Sequence, residues 1–141
     1  MLQGIIKDMT DEEKKFKVVI IDDDDFLADM YAAKFNNTGD FRTEVYKSGS
    51  AFLEKLRGGL TASLILLDIV LPGMDGIEIL RQIRKEKLIE GVPVVMLTNQ
   101  NDEKNISEAK VLGISGYIVK AAATPSEVVA EVAKIIKGQT S

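Results

Sequence analysis

Four short apolar runs in this chain each end in a side chain able to do chemistry. Val18-Val19-Ile20-Ile21 leads into Asp22, Asp23, Asp24 and Asp25, and Leu64-Ile65-Leu66-Leu67 leads into Asp68. Val94-Val95-Met96-Leu97 leads into Thr98, and Tyr117-Ile118-Val119 into Lys120. Carboxylates, hydroxyls, lysines and backbone groups carry whatever chemistry there is, because the chain has neither histidine nor cysteine. That removes thiol chemistry, disulfides, the commonest general base and the commonest zinc ligand. Aspartates packed together repel, so either one stays protonated or a cation binds between them. Oxygen ligands in a shallow cleft suit Mg²⁺ (or Mn²⁺), which keeps several waters and leaves a place for a phosphate oxygen. A carboxylate beside such an ion can attack phosphorus, since the metal neutralises charge between two anions. A lysine can then pair with the phosphoryl oxygens, and a threonine hydroxyl can hydrogen-bond one of them.

Each of these residues also has a plainer reading. Four aspartates in a row are ordinarily a solvated helix N-terminus, where negative charge favours the dipole, and Asp24 and Asp25 are read as only that. Asp68 alone is equally a cap or turn residue, Lys120 a surface lysine and Thr98 a strand end. Their joint placement at successive strand ends is what favours chemistry. No calcium loop with a glutamate at its twelfth position is present, so the acidic run is not an EF-hand.

The elements that must position these residues can be read from the apolar pattern. Five β-branched runs, Phe16–Ile21, Phe41–Tyr46, 63–67, 93–97 and Gly116–Val119, alternate with five stretches of helical spacing. The first, third and fourth runs are nearly continuous in apolar residues, as in strands buried on both faces of a parallel sheet. The second alternates more, as an edge strand does. Helical stripes are predicted at Phe26, Leu27, Met30, Tyr31 and Phe35; at Phe52, Leu53, Leu56 and Leu60; at Ile77, Leu80 and Ile83; and at Val128, Val132, Ile135 and Ile136. The fourth stretch, 102–112, carries only Ile106, Ala109 and Leu112 and is expected to be the least firmly packed. Asp75 with Glu78, and Thr124-Pro125-Ser126-Glu127, supply helix starts. Short strand–helix connections imply right-handed βαβ units and a doubly wound α/β fold, in the flavodoxin-like order 2-1-3-4-5. Ligands of such a sheet sit beyond the carboxyl ends of its strands, at the switch between the first and third.

With 141 residues the chain fits one domain able to bury a core without staples. Residues 1–15 are read as an N-terminal extension, either a frayed tail or a short helix through Leu2, Ile5, Ile6 and Met9, with Thr10 able to cap a further turn. Residues 16–137 form the domain and 138–141 a tail. A net charge of −4 argues weakly against a nucleic-acid surface. No apolar run approaches the ~20 residues of a membrane span, and no signal peptide is evident, so the cytoplasm is the expected location.

These motifs together resemble the receiver domains of response regulators. The first-strand acidic motif ending in Asp22 and Asp23, the stretch from Leu66 through Asp68 to Pro72-Gly73-Met74-Asp75-Gly76, the strand ending in Thr98, and Gly113 to Lys120 occur in the family's order and spacing over roughly residues 16–137. The resemblance implies a phosphoacceptor signalling switch of a two-component or phosphorelay system. Asp68 would take a phosphoryl group from a histidine kinase, a histidine phosphotransfer protein or a small phosphodonor. Asp23, Asp68 and the Val70 backbone carbonyl would hold the ion, with Asp22 helping through water, and Thr98 and Lys120 would bind the phosphoryl group. Thr98 and Tyr117 would then switch, reshaping the face formed by the fourth helix, fifth strand and fifth helix, which an output protein would read. Such a protein is no enzyme beyond its own phosphorylation and dephosphorylation.

Three positions depart from the family pattern. Ala121 follows Lys120 where proline with a cis peptide is usual; cis before alanine costs ~3 kcal/mol, so a trans bond and an altered loop are expected. Asn99 follows Thr98 where a small residue is common, so its amide could narrow donor access or bond the phosphate. Gly116 loosens the backbone beside Tyr117. The competing readings are a phosphorylation-independent pseudo-receiver that serves as an interaction module, and an aspartate-nucleophile phosphatase. The phosphatase lacks its second acid, since Val70 stands two residues after Asp68.

Overall fold

The computed structural model describes residues 8–138. Five strands, β1 (Phe16–Ile21), β2 (Phe41–Tyr46), β3 (Leu64–Leu67), β4 (Val94–Thr98) and β5 (Gly116–Val119), form one parallel sheet in the order β2-β1-β3-β4-β5. They alternate with α1 (Asp25–Asn36), α2 (Gly49–Arg57), α3 (Gly76–Lys85), α4 (Glu103–Val111) and α5 (Pro125–Ile136). The fold class and strand order are those expected from the sequence.

Side chains alternate across a strand, and the central strands therefore feed two separate half-cores. Val19, Ile21, Ile65, Leu67, Val94 and Met96 pack with Phe52, Leu53 and Leu56 of α2 and Ile77, Ile79, Leu80 and Ile83 of α3. Val18, Ile20, Leu64, Leu66, Val95 and Leu97 pack on the other face with Tyr31 and Phe35 of α1 and Val128, Val129 and Val132 of α5. Because both faces are covered, every residue of β3 and β4 is buried, whereas the edge strand β5 is only half-buried.

Side-chain caps start the helices where the sequence placed them. Asp75 accepts from the Glu78 N–H, and Thr124 and Glu127 form a reciprocal capping box beside Pro125. Thr10 builds the same box over a single turn, Asp11–Lys14; Leu2, Ile5 and Ile6 lie outside the described residues. Two stripe residues differ from expectation. Phe26 is 76% exposed while Ala28 takes its place in the core, because the apolar arc of α1 is wider than the arc that meets the sheet. Leu60 lies beyond the end of α2 and only packs against the rim of the core. Within α4 only Ala109 is buried, in keeping with its thin stripe. The helix is instead tied to α3 by two arginines: Arg81 pairs with Glu108 at 3.0 Å, and Arg84 donates to the Leu112 and Gly113 carbonyls at 2.8 and 3.0 Å.

Candidate functional site

Strand register alone brings the chemical residues to one rim. Ile21 pairs with Leu67 in the sheet, so the next residues, Asp22 and Asp68, emerge side by side. Leu67 pairs with Met96 and Thr98 with Val119, which sets Thr98 and Lys120 at the adjacent strand ends. Backbone bonds continue just past the strands: the Asp68 N–H donates to the Ile21 carbonyl and the Asp22 N–H to that of Tyr46, both at 3.0 Å. The carboxylates are thus held on rigid backbone.

Asp22, Asp23 and Asp68 each direct one carboxylate oxygen into a cluster whose members all lie within 4.8 Å of one another. Asp22 and Asp68 are buried, and Asp23 is exposed at the mouth. The Lys120 ammonium reaches between the two buried acids, 2.6 Å from Asp22 Oδ2 and 2.8 Å from Asp68 Oδ2. Burial works against its charge, but the hydrogen bonds it donates to Asp22 and Asp68 and their negative charges outweigh it and hold the ammonium above its ordinary pKa. The other carboxylate oxygens are engaged locally: Asp22 Oδ1 accepts from the Asp24 N–H at 3.0 Å and Asp68 Oδ1 from the Val70 N–H at 3.3 Å. Two buried acids balanced by one cation, with a third acid facing solvent, leave net negative charge in an all-oxygen cleft. That donor set fits a hard divalent cation.

Asp24 caps α1 by accepting from the Leu27 N–H, and Asp25 pairs with Lys47 at 2.7 Å, so both are terminal-turn residues as read from sequence. Thr98 is fully buried, and its hydroxyl accepts from the Gln100 N–H at 3.2 Å. The Tyr117 hydroxyl donates to the carbonyl of the same residue, Gln100. Burial raises the phenol's pKa, and the charges of Asp102 and Asp68 push it the same way. Val70, beside Asp68, is 55% exposed. No described peptide bond is cis, so Lys120–Ala121 is trans and runs into a single 3₁₀ turn, Lys120–Ala122.

Sequence reasoning missed two contributors. Gly76 starts α3 so close to the loop that follows β3 that a methyl there would overlap the Asp68 carbonyl oxygen and lie 2.8 Å from its carbon. Its N–H donates to the Ile69 carbonyl at 2.8 Å, pinning the segment after β3. Its position directly after the capping Asp75 was the available signal. Gln100 contributes only its backbone to the bridge between Thr98 and Tyr117, for which no side-chain pattern exists.

The family model for the response regulator receiver domain matches residues 18–133. The chain is 37% identical over 116 residues to the DNA-binding response regulator MtrA of Mycolicibacterium smegmatis, a match covering 82% of this chain and 48% of that protein. It is 31% identical over 107 residues to chemotaxis protein CheY-3 of Vibrio cholerae, covering 76% of this chain and 82% of that one. The receiver domain of Francisella response regulator 1452 superposes with a TM-score of 0.77 at 27% identity, covering 89% of this chain and all of that one. The chain therefore spans about half the length of MtrA. With the acidic pocket at the sheet's carboxyl rim and a family match over most of its length, the chain belongs to the response regulator receiver domain family.

Proposed function

We propose that this receiver domain is a phosphoacceptor switch in which Asp68 takes a phosphoryl group from a histidine kinase, a histidine phosphotransfer protein or a small phosphodonor. The observation that carries this reading is the Lys120 ammonium set between Asp22 and Asp68, with Asp23 completing a three-carboxylate cluster. Mg²⁺ or Mn²⁺ would be held by Asp23, Asp68 and the Val70 carbonyl, with Asp22 assisting, and when bound would neutralise charge between nucleophile and phosphodonor. An Asp68 carboxylate oxygen attacks phosphorus, the bond from phosphorus to the donor's nitrogen or oxygen breaks, and the donor leaves with that electron pair. Lys120 gives up part of its contact with Asp68 to pair with the phosphoryl oxygens, and the Thr98 hydroxyl turns from the Gln100 N–H to donate to one of them.

The modification adds close to two negative charges and three acceptors to a rim that already carries excess acid. Drawing Thr98 inward withdraws the acceptor from Gln100, whose carbonyl holds Tyr117. The loop before α4 therefore loosens, and α4 is the least buried of the five helices that cover the sheet. A groove of about 340 Å³ between β5 and α5, lined by Tyr117, Ile118, Ala122 and Glu127 among others, supports the β5-α5 part of the α4-β5-α5 face as a surface an output protein reads. The switch acts in the cytoplasm, where its phosphodonors are found. Its only catalysis is its own phosphorylation and dephosphorylation.

The test is direct. Incubation of the chain with Mg²⁺ and acetyl phosphate gives one phosphoryl mass increment, which Asp68→Asn abolishes and chelation of the metal suppresses. A chain that gains no mass from a range of donors and kinases is a phosphorylation-independent interaction module instead.

A further inference from the structure

The residue after Thr98 and the residue after Lys120 are joined by a hydrogen bond: Asn99 Oδ1 accepts from the Ala121 N–H at 2.9 Å. The bond spans the carboxyl ends of β4 and β5 just past the pair Thr98–Val119. Packing does not explain it, since Asn99 and Ala121 are both exposed. The turn it touches is otherwise lightly held. Lys120–Ala122 has no side-chain cap, and its closing bond, from the Ala123 N–H to the Lys120 carbonyl, is 3.5 Å long. A lone 3₁₀ turn with such geometry is a weak element. Yet this is where Lys120 leaves the strand and must carry its ammonium to Asp22 and Asp68.

The two positions also fit each other chemically. Alanine supplies at position 121 an N–H that proline would lack, and Asn99 supplies its acceptor. We propose that Asn99 is a positioning residue: by holding the Ala121 N–H it fixes the turn that presents Lys120 to Asp68, and so raises the rate of phosphoryl uptake. The proposal rests on the phosphoacceptor reading above. It differs from a direct contact between the Asn99 amide and the incoming phosphate, which would act whatever stood at position 121.

A double-mutant cycle on the whole chain separates these cases, with uptake from acetyl phosphate followed by intact mass. Asn99→Ala slows uptake about 3- to 10-fold, the kinetic equivalent of one hydrogen bond. Against an Ala121→Pro background, which has no N–H, the same substitution changes the rate less than about twofold. An equal loss in both backgrounds overturns the proposal. A proline at 121 also presses Lys120 toward extended backbone, so amide exchange supplies a second arm. The Ala121 amide is protected in the wild type and in Asn99→Asp, which keeps an accepting oxygen, and exchanges about tenfold faster in Asn99→Ala, as expected for one lost bond. Unchanged exchange in Asn99→Ala likewise overturns it. A wild type that gains no phosphoryl group defeats the phosphoacceptor reading and the rate effect with it, while exchange at Ala121 still reports whether the link exists.

Discussion

The Tyr117 hydroxyl donates to the backbone carbonyl of Gln100, and so the fifth strand holds the loop that follows Thr98. Since the Gln100 N–H is bonded to Thr98 Oγ1, one peptide segment answers to both residues. Tyr117→Phe removes the first bond and is expected to cost about 0.5–1.5 kcal/mol. Amide exchange in residues 100–102 should accelerate without change in β1 or β3. Once Asp68 is phosphorylated, the difference between wild type and Tyr117→Phe in this loop should shrink, because the wild type has already released Gln100.

Asp23 is the exposed member of the acid cluster and accepts no hydrogen bond from a described residue. Asp23→Asn should therefore leave the metal-free fold as stable as the wild type, or slightly more so through relief of repulsion. Mg²⁺ affinity, read by calorimetric titration, should fall at least the roughly tenfold typical of losing even an outer partner of a metal ligand. An unchanged affinity would remove Asp23 from the ion's ligands.

Gly76→Ala places a methyl against the Asp68 carbonyl. Backbone cannot yield as a flexible side chain would, so overpacking of about 1–3 kcal/mol is expected in denaturant unfolding. Phosphoryl uptake should fall by more than Gly49→Ala lowers it. That substitution is also crowded, but chiefly against the Ile79 side chain and not against the Asp68 backbone.

Lys120 gives a signed pH dependence. Its pKa is raised in the folded state, so the stability it contributes is fully present below the ordinary lysine value of 10.5 and is lost as pH rises through the folded value. Buried Tyr31 and partly buried Tyr46 and Tyr117 are also raised, mainly by desolvation, and lose stability in the same direction. The Lys120 share is therefore read as a difference. Unfolding free energy should fall between pH 10 and 12 more steeply in the wild type than in Lys120→Met.

Arg84→Ala frees the carbonyls of Leu112 and Gly113 at the end of α4. The expected cost is about 1 kcal/mol, with faster exchange confined to α4 and its flanking loops. High salt should mimic part of this effect by screening the exposed Arg81–Glu108 pair.

The sequence made the sheet and the acid pocket legible because both follow from local pattern. Continuous apolar runs report a strand covered on two faces, and the residue that ends each run must lie at the rim. Thr124, Asp75 and Thr10 were readable for the same reason, since a cap and its partner lie three residues apart. Phe26 was misplaced because periodicity gives the width of an apolar arc but not which part meets the sheet. The arginine ties between α3 and α4 left no trace, as an ion pair and side-chain-to-carbonyl bonds 27 or more positions apart have no local signature. Asn99 and Ala121 each stood out singly, and only the fold shows that they meet.

The division of the interior into two half-cores has a consequence for how such a domain can diverge. Counting alternation outward from the strands, Asp22, Asp68 and Lys120 fall on the α1/α5 side, whereas Thr98 and Tyr117 fall on the side of α2, α3 and α4. On the proposed function the sheet therefore separates the acid pair and its lysine from Thr98 and Tyr117, the two residues through which phosphoryl uptake would be relayed. Repacking behind α1 and α5 would then reach Asp22, Asp68 and Lys120 first, and repacking behind α2, α3 and α4 would reach Thr98 and Tyr117 first, so the two half-cores give drift two separate handles on one rim.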